Sequence, residues 1–549
     1  MPESFTPKLL TTLREGYRAR EMRSDAIAGL TVAIVALPLA MALGIASGAS
    51  PDKGLVTAVV AGFLISALGG SRVQVGGPTG AFVIVIFNVI ALHGYDGLML
   101  ATLLAGLILI VAGYAKLGKL IKFVPHPVVT GFTAGIAVII ASTQVKDFLG
   151  LAIEDVPADF IPQWLAYFAA LDRISVPTLM VGAGALALIL VLRKVSPRLP
   201  GYLIAIVAAS LAVAALGLPV DTIGSRFPDI PAGLPMPALP EITLAKIQAV
   251  MPSAFTIAFL AGIEALLSAV VADGMAGTRH RSNQELVGQG VANVASSLFG
   301  GLPATGAIAR TATNIKSGAR TPMAGMFHAA FLLVFVLFGM DLMAYVPMAA
   351  LAAILFMVAS GMSEYERFLS LLKMPNGDRV VLLLTFGLTV LVDLTVAIGV
   401  GVTIASLLFM MRMSESVAVE QGAGIEVDPE LDDEDRGQRD VLPDGVEVFR
   451  INGPFFFGVA GELLDTLRRV GRRPRAVILR MRLVPFLDAS GLAAVAEFVK
   501  QAEISGARVI LSGVQPQPLD MLERADLGPQ SGKIEYAPDY PAAIRLAES

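Results

Sequence analysis

Between Asp25 and Arg412 the chain reads as a succession of apolar stretches, each bounded by a short polar, Gly-rich or Pro-rich break. They fall at about 25–47, 54–70, 78–92, 97–115, 123–143, 176–192 and 200–217. A second set falls at about 252–274, 284–300, 305–317, 321–340, 344–362, 379–394 and 396–412. A helix needs ~20 apolar residues to cross a bilayer, and only helices or closed barrels satisfy their own backbone there. Most of the chain is therefore expected in a membrane, as α-helices in two sets of seven. Composition agrees: 55% of the 549 residues are apolar and 16% charged, and the mean hydropathy of +0.72 is too high for a soluble protein of this length.

The third and tenth stretches are short for a full span, as half-helices should be. Pro78 to Asn88 reads PTGAFVIVIFN, and 226 residues later Ala304 to Asn314 reads ATGAIARTATN. A Gly-rich break precedes each copy, GGSRVQVGG and FGGLP. The same offset lays Ala46 and Gly48 on Ala272 and Gly274, and places Pro38 opposite Glu264. Paired short, Gly-interrupted segments in corresponding halves point to a transporter site built from inverted repeats. Two half-helices then enter from opposite sides, and their N-termini meet near the midplane at Thr79, Gly80 and Ala81 and at Thr305, Gly306 and Ala307. Each N-terminus carries unpaired N–H groups and about half a positive charge, which suits an anion. Arg310, one turn inside the second half-helix, adds a full charge, so the expected substrate is an anion.

Glu264 is the other ionisable residue in this region, set among Leu, Ala and Ile. A charge at a helix centre costs roughly 2.5–3.5 kcal/mol, so such a residue faces a bundle interior or a wet cavity and marks an ion or substrate path. Because a low dielectric favours the neutral acid, a Glu here can take up a proton near neutral pH and travel as its carrier.

Loop charges set the orientation, because Lys and Arg accumulate on the cytoplasmic side. The expected inner loops hold Lys116, Lys119 and Lys122, then Arg193, Lys194 and Arg198, then Arg279 and Arg281, then Arg367, Lys373 and Arg379. The outer loops around 144–175 and 218–250 carry Glu154, Asp155, Asp159, Asp221, Asp229 and Glu241. An even number of spans leaves both termini in the cytoplasm. Residues 1–24 are a basic, weakly amphipathic lead-in without the apolar core of a cleavable signal peptide.

No cysteine is present, which excludes disulfides and thiol chemistry, and the four histidines lack ligand spacing. No nucleophile with a base, phosphate-cradling loop or metal cluster stands out. The chain is therefore not expected to be an enzyme, to hold a cofactor or to bind nucleic acid. Residues 414–444 read as an acidic linker with ELDDEDR at 430–436. Residues 445–549 read as a small α/β domain: strands at about 446–451, 455–459, 476–482, 508–513 and 533–536, helices at about 461–470, 490–504, 517–524 and 539–547.

GIEALLSAVVADGMAGTRHRSNQELVGQGVANVASSLFGG and the ATGAIARTATNIKSGARTPMAG after it resemble the SulP family of anion transporters, known as sulfate permeases. The C-terminal FLDASGLAAVAEFVKQA resembles the STAS domain that this family carries after its membrane part. The resemblance implies fourteen segments in a 7+7 inverted repeat, divided into core and gate domains over residues 25–413. It also implies a substrate held between the third and tenth segments, an elevator-like motion and a homodimer in a bacterial inner membrane. Family members carry sulfate, bicarbonate, chloride or dicarboxylates, and the similarity of ATGAIARTATN to bacterial dicarboxylate carriers makes a C4-dicarboxylate the expected cargo, with sulfate and bicarbonate as the alternatives.

By the same resemblance Glu264 is tied to cation coupling and Arg310 stands beside the substrate. An Arg310 bracing a buried carboxylate is the plainer alternative. Ser268, at i+4 on the Glu264 face, matches a hydroxyl that completes a sodium site in some relatives, so a proton is the expected coupling ion and sodium the alternative. Asp273, Asn283 and Glu285 match the family's pattern and are expected to order loops; Asp393 reads as a boundary residue. Ser490 matches a position phosphorylated in signalling relatives, although an N-cap serine also explains it.

Overall fold

The computed structural model describes residues 5–119, 125–153, 156–157, 159–196, 199–228, 230–231, 233–392, 394–415, 417–421, 443–459, 474–529 and 534–549. Lys122, Glu154, Asp155, Arg198, Asp229, Asp393, the run at 430–436 and the helix expected at 461–470 lie outside them. The chain forms two compact units, Met1–Thr403 and Ile404–Ser549.

The first unit is helical. In its amino-terminal half, α1 (Lys8–Glu15), α2 (Ala19–Ala46) and α3 (Pro51–Leu68) lead to β1 (Gly76–Gly77) and then to α4 (Val83–Tyr114). After α4 come α5 (His126–Leu149), α6 (Phe160–Ala169), α7 (Val176–Val195), α8 (Gly201–Leu216) and the short α9 (Ile223–Arg226). The carboxy-terminal half has α10 (Leu244–Ala276), α11 (Ser282–Leu298), β2 (Thr305–Gly306), α12 (Ile308–Lys316), α13 (Met323–Phe338), α14 (Met348–Met362), α15 (Tyr365–Leu371), α16 (Asn376–Leu391) and α17 (Leu394–Glu415). Among the described residues, eight helices are long and apolar enough to cross a membrane.

Some boundaries differ from the sequence reading: α2 starts at Ala19 and α5 runs on to Leu149. The third and fourth stretches are two helices that meet at a kink at Gly94 (φ 69°, ψ 178°), where the sequence reading separates them, and are numbered together as α4. Helix α10 starts eight residues early, because the Thr243 side chain caps it by accepting from the Lys246 N–H. Helix α6 lies in what read as an outer loop.

Helix packing repeats between the halves. The α2–α13 and α3–α13 contacts have their mates in α10–α4 and α11–α4, α2–α3 in α10–α11, and α5–α16 in α14–α7. Helices α2, α3, α4 and α10–α13 form the core group. Helices α5, α7, α8, α14 and α16 form the gate group. Small residues allow the closest crossings: a Cβ at Gly106 of α4 would lie 2.7 Å from the Gly290 carbonyl of α11. Lipid tails supply no hydrophobic drive between helices, so such backbone approach is what holds them.

The second unit contains a five-stranded sheet in the order β3 (Ala418–Gln421), β4 (Val446–Asn452), β5 (Ala476–Arg480), β6 (Arg508–Ser512) and β7 (Glu535–Ala537). The β4–β7 strands run parallel and β3 antiparallel at the edge. Alternation of side chains places Phe449, Ile451, Val477 and Leu479 against the helix Ala489–Ile504, and Val446, Val448, Ala476 and Ile478 against the helix Tyr540–Glu548. Strand β3 falls in the stretch that read as linker. The strand expected at 455–459 is only an isolated bridge from Phe455 to Leu487 followed by a turn.

Candidate functional site

The two breaks meet inside the core group. Gly76 pairs with Gly306 and Gly77 with Thr305, antiparallel, so the halves are joined by a two-stranded ladder. Non-helical backbone at this depth persists only where protein satisfies it, and side chains do so on both sides. Val75 N donates to Thr311 Oγ1 (3.1 Å), Asn314 Nδ2 to Val73 O (2.9 Å) and Gln74 Nε2 to Ala265 O (3.0 Å). Asn293 brackets Ala304, donating to its carbonyl (2.8 Å) and accepting from its N–H (2.9 Å). Leu302 N donates to Thr57 Oγ1 at 2.6 Å.

Both helices that leave this ladder start without a side-chain cap. Thr79 is the N-cap of the turn Gly80–Phe82 that leads into α4, with extended backbone, and its side chain makes no cap bond. Ala307 precedes α12 and has nothing to cap with. Ser, Thr, Asp and Asn normally satisfy such N–H groups. Instead the Thr79 hydroxyl donates to Glu264 Oε2 across 2.9 Å. The carboxyl of α10 and the start of the first half-helix are thus in direct contact, and both residues are partly exposed. A Cβ at Gly80 would lie 2.6 Å from Met362 Sδ and 3.0 Å from Ile140 Cδ1, so α14 and α5 of the gate group close against this point.

Arg310 is 3% exposed. Its Nη2 donates to the Pro78 carbonyl at 3.0 Å, while buried Nε and Nη1 have no hydrogen bond among the described residues. Among the described residues no carboxylate forms an ion pair with it. Any side chain at Gly77 would collide with the guanidinium.

The second copy contributes differently from expectation. Thr305 Oγ1 donates to Ala261 O (2.8 Å), and Ala307 N donates to Val75 O (2.9 Å). Gly306 admits the Gln74 side chain, which a Cβ there would displace. These groups hold the ladder. Ser268 shares a hydrogen bond with Thr311 Oγ1 at 3.2 Å, and no bond joins it to Glu264. Thr311, Asn293 and Gln74 join the groups that hold the ladder; Gln74 lies in the non-helical break before β1, and Thr311 and Asn293 lie on the buried faces of α12 and α11.

Loop ordering fits the remaining polar residues. Asp273 accepts from His280 N (2.8 Å) and Thr278 (3.0 Å), Asn283 accepts from Gly118 N (3.1 Å), and buried Glu285 accepts from Gly70 N (2.7 Å) and Ser71 N (3.1 Å). In the second unit Asp488, rather than Ser490, caps the helix by accepting from Gly491 N at 2.7 Å. Ser490 is exposed in the first turn.

The Sulfate permease family model matches residues 22–385 and the STAS domain model residues 441–536. The chain belongs to the sulfate permease family. YvdB of Bacillus subtilis (strain 168), named as a sulfate transporter, is 40% identical over 525 residues, covering 95% of this chain and 97% of that protein. The bicarbonate transporter BicA of Picosynechococcus sp. is 32% identical over 530 residues, covering 92% and 91%. The murine Solute Carrier 26 family member A9 anion transporter, inward-facing, shares the fold with a TM-score of 0.87 at 16% identity, over 99% of this chain and 94% of that one. This sulfate permease family chain is therefore a multi-pass membrane anion transporter rather than an enzyme.

Proposed function

We propose that the chain is a secondary active transporter that carries a small anion in symport with a proton, by an elevator-like movement of core against gate. The Thr79–Glu264 hydrogen bond carries the reading: it ties the one carboxyl in the site to the start of a half-helix whose N–H groups no side chain caps. The uncapped start of α12 and the partnerless guanidinium atoms of Arg310 supply the positive field. Sulfate and bicarbonate are the favoured cargoes, because relatives bearing those names cover nearly the whole chain; a C4-dicarboxylate is the third. The commitment of Ser268 to Thr311 favours a proton over sodium. The cationic inner loops support a bacterial inner membrane orientation with both termini cytoplasmic, and the family resemblance supports a homodimer surrounded by lipid.

Uptake into proteoliposomes tests this, with labelled sulfate, bicarbonate and succinate in parallel, each with and without an inward proton or sodium gradient. Proton-driven accumulation of one anion is expected. Uptake indifferent to both gradients would leave an uncoupled exchanger or channel, and sodium-driven uptake would replace the coupling ion.

A further inference from the structure

We propose that the Thr79 hydroxyl makes anion binding depend on the protonation of Glu264, by reversing the direction of its hydrogen bond. This rests on the reading of Glu264 as the proton carrier and names the part that transmits its state.

An ionised carboxylate only accepts hydrogen bonds, and a threonine hydroxyl has one proton and two lone pairs. With Glu264 ionised, the single Thr79 proton is committed to Oε2 at 2.9 Å. The hydroxyl then offers only lone pairs to the space before Gly80, and an anion arriving there meets an oxygen without a donor. A protonated Glu264 donates its own O–H to Thr79 Oγ1. The Thr79 proton is released to turn toward the anion, and the mouth of the half-helix gains a donor beside N–H groups that no side chain caps. The proton stays on Glu264 and no covalent bond changes. Anion and proton thereby favour each other's binding, as linkage requires.

Among the described residues, this is the hydrogen bond through which Glu264 can signal its state, and no ion pair competes with it. Helix α10 packs against α4, α11, α12, β2 and the Gly80–Phe82 turn. Arg310 of α12 is held by Pro78 O, and Lys316 is exposed at the far end of that helix. Glu285 of α11 is committed to Gly70 and Ser71. On α4, Tyr95 donates to Gly300 O, Asp96 pairs with Lys246, Tyr114 stacks on Phe5, and His93 lies a turn before Gly97. On α10 itself, Asp273 is bonded to His280. None forms an ion pair with Glu264.

The test is equilibrium binding of labelled sulfate and chloride to the purified full-length protein at about pH 6.5 and about pH 8.5, between which neither probe changes charge. Wild type is expected to bind more tightly at the lower pH. In Thr79→Val and in Thr79→Ala the ratio of the two dissociation constants should fall about tenfold, the worth of one hydrogen bond, leaving plain repulsion between anion and carboxylate. Thr79→Ser, which keeps the hydroxyl, should return the wild-type ratio. In Glu264→Gln, adding Thr79→Val should leave the already flat ratio unchanged. A wild-type ratio well above one that survives both hydroxyl-free variants, or is not restored by serine, overturns this inference alone. A wild-type ratio of one overturns the proton-coupled reading and this inference with it.

Discussion

The two broken segments carry the same Thr-Gly-Ala motif, yet their threonines do opposite jobs. Thr79 turns away from the turn it should cap and donates to a side chain that can titrate, Glu264. Thr305 sits in β2, fully buried, and donates to a backbone carbonyl of α10. The mates of their neighbours diverge as well: Glu264 stands opposite Pro38, and Arg310 opposite Ile84. An inverted repeat supplies two equivalent frameworks, and the chemistry comes from breaking the equivalence. On the proposed reading, coupling runs through the first segment, and charge and rigidity come from the second.

Substitutions across this divide should separate the roles. The largest effect is expected from Glu264→Gln, which fixes the carboxyl neutral: gradient-driven accumulation should fall about a hundredfold, the upper range of coupling free energies, while anion exchange at equal pH persists. Flux assays with and without the gradient read both. Next comes Arg310→Ala, expected to weaken anion binding about tenfold or more at every pH, because a charge-assisted donor is removed. Its repeat mate Ile84→Ala should stay within about threefold. Arg310→Lys should recover part of the loss, since a point charge replaces the planar fork. The smallest effect is expected from Thr305→Val, which removes one neutral hydrogen bond worth about 0.5–1.5 kcal/mol. It should lower thermal stability and leave the pH dependence of binding unchanged. A pH profile altered by Thr305→Val and not by Thr79→Val would erase the asymmetry.

Much of this was legible in the sequence, for physical reasons. Hydropathy marked the spans because lipid admits little else, and Gly-rich breaks at a fixed offset marked where the backbone leaves the helix. Glu264 and Arg310 stood out because charge is costly at that depth. Tertiary geometry was hidden. Helical spacing put Ser268 on the Glu264 face, but only the crossing of α12 shows that Thr311 takes its hydroxyl. The motif made Thr79 and Thr305 look interchangeable, and pairing in the ladder decides between them. In the second unit both Asp488 and Ser490 suit an N-cap by residue type. The extended backbone at Asp488, φ −93° and ψ −179°, settles the choice.

Proton movement with the anion tests the central claim most directly. Full-length protein would be reconstituted with a pH-sensitive dye inside the vesicles and no imposed pH gradient, and an inward gradient of the transported anion applied. Wild type is predicted to acidify the lumen in step with anion entry, and Glu264→Gln to admit anion without acidification. Anion entry by wild type with no change in internal pH would contradict the account.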